Sequence, residues 1–372
     1  MATPSPFDVV VIGAGPAGSA TARWLALAGC RVLLVERSHF EAPRVGESLA
    51  PDVQPLLMSL GVWNRFGALG AVPSWGTRSV WGDDEPQEHS HLMSPFGCGW
   101  HVERAGFDRM LAEAAADAGA TLRLGSTLAS CVDEGVTWQV TLTSGTGSTT
   151  EAARILVDAT GRGARVSKRL GAHRDAADAL IGITAWFNGV DTSQQGFTLV
   201  EAETDGWWYS APAGEGQMAA MLMTDGDLAG RADIKMQSAW RTRLGKVPVT
   251  ASRLASASNV CGPQAFSAAS HRLRARHAAG RCLAVGDAAM AVDPISGSGV
   301  VRALRMAQHG AETVVEMLKR PGSEILQEYE TARDADWQEY LDERAMYYGV
   351  EDRWPASPFW RRRHEARQSR EA

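Results

Sequence analysis

The chain has 372 residues and a formal net charge of −6, with 45% hydrophobic and 22% charged residues. This length and composition predict two closely packed domains with a large apolar core. The pI near 5.9 excludes a chain-wide basic field for nucleic acid, and no apolar run reaches membrane-spanning length. The five cysteines are scattered without a CxxC pair, which argues against a disulfide or metal framework. We therefore predict a cytoplasmic protein with no leader peptide, membrane span or nucleic-acid partner.

Residues 8–37 form the most informative unit. The apolar run 9–12 leads directly into a Gly-x-Gly-x-x-Gly turn and then into a helical pattern. The first glycine permits a tight turn, the second lets the backbone approach a pyrophosphate, and the third lets the helix pack on the strand. A second apolar run, 32–35, ends in an acidic residue that is placed to accept hydrogen bonds from a ribose. The unit predicts a dinucleotide site made by Gly13, Gly15, Gly18, Glu36 and Arg37.

Residues 38–180 complete the first part of the predicted dinucleotide-binding domain, which spans residues 1–180. Residues 62–100 contain several tryptophans and glycines, and we predict there a cap insertion of irregular strands and loops that covers a pocket. Residues 107–118 have the spacing of an amphipathic helix, and short strands follow up to Asp158. His89 and His91 share one strand face, but no third ligand is evident, so we predict no metal site.

The pattern changes to strict alternation after residue 180. The runs 181–188, 207–211 and 217–224 predict an antiparallel sheet, so we assign residues 181–270 to a substrate-binding domain. Residues 271–345 return to the first domain with a buried strand and two long closing helices. For the basic tail, 346–372, we expect a solvated and frayed C-terminus, with a nucleic-acid or partner arm as the alternative. The predicted fold class is α/β, with a Rossmann-like dinucleotide-binding domain, an antiparallel-sheet substrate domain and C-terminal helices.

The C-terminal third of the sequence favours FAD over NAD as the dinucleotide. Residues 283–289 predict a strand and a glycine turn, with an aspartate placed to accept hydrogen bonds from a ribityl chain, which NAD lacks. The loop 294–299 follows, and its glycines expose backbone N–H groups that suit the pyrimidine edge of a flavin. The residues predicted at this end of the cofactor are Gly286, Asp287, Pro294, Gly297 and Gly299.

These elements, in this order, resemble the flavoprotein monooxygenase superfamily, which includes p-hydroxybenzoate hydroxylase, flavin-dependent halogenases and geranylgeranyl reductases. The resemblance covers essentially the whole chain and implies an FAD-binding domain. It also implies that Arg104, at the end of Gly99-Trp100-His101-Val102-Glu103-Arg104, contacts FAD. Thr160 stands where hydroxylases have the acidic residue of a motif associated with FAD and NADPH. Direct use of a pyridine nucleotide is therefore disfavoured, and a separate flavin reductase or another electron donor is expected.

Smaller motifs indicate which branch of this superfamily the chain resembles. The segment 44–49 resembles the Gly-Glu-(Ser/Ala) segment of halogenases and reductases, but the halogenase lysine downstream of it has no counterpart before Lys168. The halogenase Trp-x-Trp-x-x-Pro signature is missing as well. Trp75-Gly76, Trp81-Gly82 and Gly99-Trp100-His101 are similar to the LodB/GoxB-like maturation flavoproteins of quinone-cofactor oxidases. That group is associated with hydroxylating a tryptophan side chain within a partner protein.

The resemblance implies an FAD-dependent monooxygenase that hydroxylates an aromatic, tryptophan-like ring through a flavin C4a-hydroperoxide. The substrate ring would belong to a precursor protein or to a carrier-bound metabolite. Glu47, Ser48 and His101 are the candidates for proton handling. Helix capping is the alternative role for Glu47 and Ser48, and a structural hydrogen bond is the alternative for His101.

Three other functions stay open at this point. The first is a geranylgeranyl-reductase-like oxidoreductase that saturates alkenes. The second is a hydroxylase or halogenase of a carrier-bound natural-product intermediate, and the third is a non-catalytic flavoprotein chaperone that presents a precursor. Oxygen uptake, halide-dependent products and alkene-dependent reoxidation of the flavin distinguish among them.

Overall fold

A computed structural model describes residues 6–192, 195–232, 237–274, 280–320 and 323–371. The architecture is mixed α/β, with one sheet built around parallel strands, one mostly antiparallel sheet and long C-terminal helices. The predicted fold class is thereby confirmed. Across the described ranges, no helix is both long enough and apolar enough to cross a membrane.

The chain begins with a strand–helix–strand unit and ends in long helices. The strands are β1 (Phe7–Ile12), β2 (Val32–Val35), β3 (Ser48–Leu49), β4 (Val72–Ser74), β5 (Gly76–Val80), β6 (Gln87–Ser90), β7 (Gly99–His101), β8 (Thr121–Arg123), β9 (Thr127–Asp133), β10 (Trp138–Ser144), β11 (Gly147–Asp158), β12 (His173–Ala176), β13 (Leu180–Asn188), β14 (Phe197–Glu203), β15 (Gly206–Pro212), β16 (Gln217–Asp225), β17 (Ser258–Ser267), β18 (His271–Arg274), β19 (Cys282–Ala284) and β20 (Met290–Ala291). The α-helices are α1 (Pro16–Leu27), α2 (Val53–Ser59), α3 (Trp63–Gly67), α4 (Arg104–Asp117), α5 (Arg165–Arg169), α6 (Gly226–Ala232), α7 (Gln237–Leu244), α8 (Pro248–Arg253), α9 (Gly299–Lys319), α10 (Ser323–Val350) and α11 (Pro358–Glu371).

The first sheet has the order β8-β2-β1-β11-β10-β9, and β19 also pairs with β11. Its central strand β1 runs parallel to both β2 and β11. Val9 and Val11 pack on one face among residues of α1 and α9, whereas Val10 packs on the other face against β10. A strand covered on both faces must be apolar at every position, which explains the continuous run in the sequence.

The second sheet has the order β17-β13-β16-β15-β14-β5-β6. Trp207 and Trp208 are fully buried on opposite faces of β15, so both faces of this sheet are covered. The cap region 62–100 extends the sheet, because β5 pairs in parallel with β14 and in antiparallel with β6. The segment predicted as irregular strands and loops therefore supplies the edge of the substrate-side sheet.

A small antiparallel sheet, β3-β7-β4, connects these two parts of the fold. Ser48 on β3 and Val72 on β4 both pair with His101 on β7. This pairing places Ser48 beside His101 although they lie far apart in the sequence. The small sheet thereby positions two polar side chains of the candidate active site.

The expectation of a frayed, solvated C-terminus is wrong for the end of the chain. Residues 358–371 form α11, and its Phe359 and Trp360 are fully buried. Arg363 is also buried and donates to Asp225 Oδ1 at 2.8 Å. The basic composition was misleading, because an acidic residue on β16 neutralises the arginine while the aromatic residues pack into the core.

The packing of Trp360 leads to a stability prediction. Its indole packs edge-to-face against the indole of Trp81, with ring centroids 5.2 Å apart, and its Nε1–H donates to Glu203 O at 2.9 Å. We expect Trp360→Ala to lower the free energy of unfolding by about 3–5 kcal/mol, as measured by urea denaturation. Arg361→Ala is the control, because this neighbouring side chain is 58% exposed, and its effect should stay below about 1 kcal/mol. Equal stabilities of the two variants would contradict the docking of α11.

Candidate active site

The glycine turn between β1 and α1 combines two tightly packed glycines with an open one. A Cβ on Gly13 (φ +105°) would lie 2.3 Å from Ala159 O, and a Cβ on Gly18 would lie 1.9 Å from Gly13 O. Among the described residues, no atom beyond the chain neighbours lies within 4 Å of a Cβ on Gly15. Gly15 is the N-cap of α1 and provides no side-chain cap, so the first N–H groups of the helix lack an intrahelical acceptor. The turn thus leaves room and donors for an anion at the helix N-terminus.

Glu36 follows β2 at the same edge of the sheet. Its buried carboxylate accepts the Ala14 N–H at 2.9 Å and the Ser38 hydroxyl at 2.7 Å. These bonds hold the glycine turn against the end of β2. Arg37, the next residue, is exposed. Both residues lie at the carboxyl ends of parallel strands, where ligands of open α/β sheets bind.

Arg104 is the first residue of α4, and its guanidinium anchors the turn that precedes β3. Nη1 donates to Val45 O at 2.6 Å, and Nε donates to Asp108 Oδ1 at 3.2 Å. The buried Asp108 also accepts Arg44 Nη1 at 2.8 Å. Asp108 and the role of Arg44 were not predicted from the sequence, although the i, i+4 spacing of Arg104 and Asp108 on a helix was a usable signal.

The turn after β19 packs against the N-terminus of α1. Gly286 has φ +58°, and a Cβ there would lie 2.6 Å from Ala17 Cβ. Asp287 beside it is partly exposed and pairs with Arg162 Nε at 3.3 Å. The structure therefore brings together two motifs that are about 270 residues apart in the sequence.

The loop after β20 is held on one side and open on the other. Asp293, which is fully buried, accepts the Ile295 N–H at 3.0 Å and the Tyr348 hydroxyl of α10 at 2.8 Å. Pro294–Ser296 then form one 3-10 turn, which ends at Gly297 with φ +60°. Apart from chain neighbours and the backbone of α9, no atom of the described residues lies within 4 Å of a Cβ built on Gly297 or Gly299. The N–H groups of Ile295, Ser296 and Gly297 are bonded within the loop itself, so the loop offers a flat ligand edge open space beside Gly297 and Gly299.

A polar cluster joins the small sheet to the substrate-side sheet. Ser48 Oγ lies 3.1 Å from His101 Nδ1, 2.8 Å from Thr198 Oγ1 and 2.8 Å from the Tyr209 hydroxyl oxygen. Glu47 and His101 are fully buried, whereas Ser48 and Tyr209 are only partly buried. Ser48 and Tyr209 are thus the members that a substrate can reach. Thr198 and Tyr209 were not predicted from the sequence, where their signal was a polar residue within an apolar strand.

Burial shifts the pKa of Glu47 upward and that of His101 downward, so each side chain favours its uncharged form. It raises the pKa of Glu47 to about 7, against the opposing effects of the Gly46 N–H, Arg104 and Trp186. Burial, with Arg253 as a further cause, lowers the pKa of His101 to about 3. Near neutral pH, Glu47 is close to its midpoint and His101 is uncharged. A carboxyl group with such a pKa can accept or release a proton at little cost.

Two atoms of the cluster lack a hydrogen-bond partner within the described residues, namely Glu47 Oε1 and His101 Nε2. Both atoms are buried, and buried polar atoms are normally satisfied by protein, water or ligand. The unpartnered atoms therefore mark a place where a bound group would complete the bonding. The open space at Gly15 likewise indicates room for a phosphate. The open space beside residues 297–299 indicates room for a flat ring.

A model of the FAD binding domain family matches residues 6–344. This chain belongs to that family. FAD is accordingly its cofactor, and the protein is a flavin-dependent oxidoreductase. The geometry at Gly15, Glu36, Asp287 and the 294–299 loop fits that cofactor, and the individual FAD contacts stay predictions.

Relatives of this flavoprotein include both oxidoreductases and halogenases. It is 29% identical over 362 residues to the putative FAD-dependent oxidoreductase LodB of Marinomonas mediterranea, with 96% of this chain and 97% of LodB covered. The myxobacterial chondrochloren halogenase CndH is similar in structure, with a TM-score of 0.89, 25% identity, and 99% of this chain and 89% of CndH covered. The peptidyl tryptophan dihydroxylase QhpG, essential for tryptophylquinone cofactor biogenesis, has a TM-score of 0.76 and 25% identity, with 96% of this chain and 79% of QhpG covered. The predicted resemblance to the halogenase-like monooxygenases and the LodB-like group is confirmed.

Proposed function

We propose that this protein is an FAD-dependent monooxygenase that hydroxylates the indole ring of a tryptophan residue in a partner polypeptide. The polar cluster around Ser48 carries the proposal, because it places a buried carboxyl group with a pKa of about 7 between the two sheets. The likeness to LodB over nearly the whole chain supports an FAD-dependent oxidoreductase, and the likeness to QhpG, a peptidyl tryptophan dihydroxylase, supports the substrate class.

The positions of the lysines favour hydroxylation over halogenation. The lysines among the described residues, Lys168, Lys246 and Lys319, are all exposed. The cluster around Ser48 is instead made of hydroxyl, imidazole and carboxyl groups. Flavin halogenases use a lysine to capture or guide hypohalous acid in an enclosed site, and an exposed ammonium group cannot do this.

The geometry supports the following assignment of residues that would hold FAD. The 13–18 turn and the N-terminus of α1 would bind the pyrophosphate, and Glu36 would bind the ribose. Asp287 would accept hydrogen bonds from the ribityl chain, and the 294–299 loop would contact the flavin edge. Bound FAD, once reduced, supplies two electrons and, with O₂, an electrophilic oxygen atom.

The protein must then handle protons and exclude water. Hydroxylation replaces a ring C–H by C–OH, reduces the second oxygen atom of O₂ to water, and consumes two electrons and two protons. Glu47, near its midpoint at neutral pH, is suited to accept the proton that the ring releases. Ser48, held by His101 and Tyr209, can orient the ring or pass a proton through its hydroxyl. The buried position of Glu47 and His101 keeps bulk water from these groups.

Isotope labelling tests the proposal directly. The protein, reduced FAD and ¹⁸O₂ are incubated with a short peptide that contains one tryptophan, and the product is analysed by mass spectrometry. We expect one ¹⁸O atom in the indole ring for each hydroxylation. Oxygen consumption that leaves the peptide unlabelled would contradict the proposal.

Halogenation of an aromatic ring is the second candidate, favoured by the TM-score of 0.89 with the halogenase CndH. The same incubation with added bromide distinguishes the two functions. Brominated product without ¹⁸O would establish the halogenase. Labelled product that is indifferent to bromide would exclude it.

A further inference from the structure

Four large apolar side chains are exposed in the one segment that runs from β4 to β7. Trp75 is 55% exposed, Leu92 85%, Met93 91% and Phe96 41%. The backbone of Trp75 accepts the His91 N–H at 2.7 Å, so Trp75 lies beside the 91–93 turn. We name these four side chains the Trp75 face. Exposed apolar groups that adjoin one another in this way are typical of interaction sites.

The Trp75 face adjoins the polar cluster through the small sheet. Ser74 on β4 pairs with Gly99 on β7, two residues before His101. Trp75 thus lies three residues, about 10 Å, beyond Val72, the β4 residue opposite His101. A macromolecule that covers the face could extend a side chain toward Ser48 and Tyr209.

The hairpin β5–β6 beside the face is acidic and ends the sheet. Within the described ranges, no strand pairs with the outer edge of β6, and its residues 87–90 are all exposed. The sequence between Arg78 and Arg104 has no lysine or arginine. The acidic residues of the hairpin, which we name the acidic hairpin, are Asp83, Asp84, Glu85 and Glu88. Glu88 pairs with Arg78 of β5 and Asp84 pairs with Arg353, so Asp83 and Glu85 are the carboxylates offered to a basic partner.

We propose that the substrate-bearing partner docks on the Trp75 face through an extended apolar segment flanked by lysine or arginine, an inference that rests on the proposed function. The segment covers Leu92 and Met93, pairs its backbone with the outer edge of β6, and places its basic side chains over the acidic hairpin. An unpaired strand edge favours a polypeptide over a small aromatic metabolite, since only a polypeptide offers matching N–H and C=O groups.

Peptide binding to the FAD-loaded protein tests this surface. The probes are two fluorescein-labelled peptides with one tryptophan and flanking leucines, one carrying lysines and the other glutamates, and Kd is measured by fluorescence anisotropy. We expect the lysine peptide to bind about tenfold more tightly than the glutamate peptide. The double variant Leu92→Ser/Met93→Ser should raise its Kd about tenfold. Asp83→Lys/Glu85→Lys should reverse the preference between the two peptides.

Matched controls separate this surface from general effects. Val136→Ser changes a side chain that is 79% exposed on the turn between β9 and β10 of the first sheet, and it should leave both Kd values unchanged. Failure of both peptides to bind, or equal binding to the Leu92→Ser/Met93→Ser variant, overturns the docking surface. Concentration-dependent self-association that this double variant abolishes would show a second copy of the chain on the face, and would also overturn it.

The binding test and the labelling test can fail independently. Lysine peptide that binds through the face without gaining ¹⁸O would leave the docking surface standing and contradict the hydroxylase. Labelled peptide whose Kd and KM are unchanged by Leu92→Ser/Met93→Ser would support the hydroxylase and overturn the docking surface.

Discussion

Replacing Glu47 by glutamine is expected to lower kcat by about 10²–10⁴-fold while FAD stays bound. The substitution keeps the size and hydrogen-bonding shape of the side chain but removes the group that can accept a proton. Because burial raises the pKa of Glu47 to about 7, the wild-type rate should rise with pH through that value. The variant should lose this dependence. Stopped-flow measurements of the reduced protein with O₂ and peptide, over a range of pH, provide the check.

The same substitution should stabilise the protein at high pH. The folded pKa of Glu47 lies above its ordinary value of 4.5, so the unfolded chain releases this proton first as the pH rises. Its contribution to stability is therefore complete below pH 4.5 and is lost as the pH rises to about 7. The loss amounts to about 3 kcal/mol. The difference between the urea-denaturation stabilities of Glu47→Gln and wild type should grow across this window.

Glu203 offers a matched control for the predicted effects of Glu47→Gln on kcat and on stability. It is also buried, burial also raises its pKa, and it lies on β14 paired with Arg243. Glu203→Gln should change stability without altering the pH dependence of kcat. A Glu47→Gln variant that keeps wild-type kcat and the same pH profile would remove Glu47 from the reaction.

Replacing Gly15 by alanine is expected to weaken FAD binding by about 100-fold, or about 2.7 kcal/mol, without unfolding the protein. Within the part of the chain that the structure describes, a Cβ at this position meets no atom within 4 Å beyond its chain neighbours, and the backbone has φ −72°. The methyl would therefore obstruct a group that approaches the N-terminus of α1 from outside. The pyrophosphate of FAD is that group according to the glycine pattern. Titration of the apoprotein with FAD, followed by flavin fluorescence, measures the change.

Two other glycines provide control variants for the Gly15→Ala prediction. Gly67 at the end of α3 has equally open space around a Cβ, so Gly67→Ala should leave FAD affinity unchanged and should not lower the melting temperature. Gly18→Ala should lower the stability of the apoprotein itself, because its Cβ would lie 1.9 Å from Gly13 O. Unchanged FAD affinity in Gly15→Ala would mean that the pyrophosphate does not lie on this turn.

The cofactor-side elements could be predicted from the sequence because their information is local. The turn 13–18 and its flanking strands occupy one continuous stretch, and each glycine has a steric reason that holds within a few residues. The helix α4 was likewise predicted from its apolar spacing, although it begins at Arg104 and not at residue 107. Local patterns of this kind can be predicted from the sequence because neighbouring residues determine them.

The C-terminal helix could not be predicted in the same way. Its sequence is rich in arginine and resembles a solvated arm until Asp225 and the aromatic residues around Trp81 are placed beside it. Burial of a charged side chain depends on a partner that only packing supplies. The cap strands β5 and β6 were missed as sheet members for a related reason, since strand pairing is decided by distant residues.

The sequence by itself determined the nucleotide-binding unit, the antiparallel second sheet and Glu47, Ser48 and His101 as candidates. Only the tertiary structure decided that Ser48 meets His101, Thr198 and Tyr209, which lie 53, 150 and 161 positions away along the chain. It also decided that burial brings the pKa of Glu47 close to neutral. Hydrogen-bond geometry and the cost of desolvating a charge arise only when separate strands pack together, so no local pattern carries them.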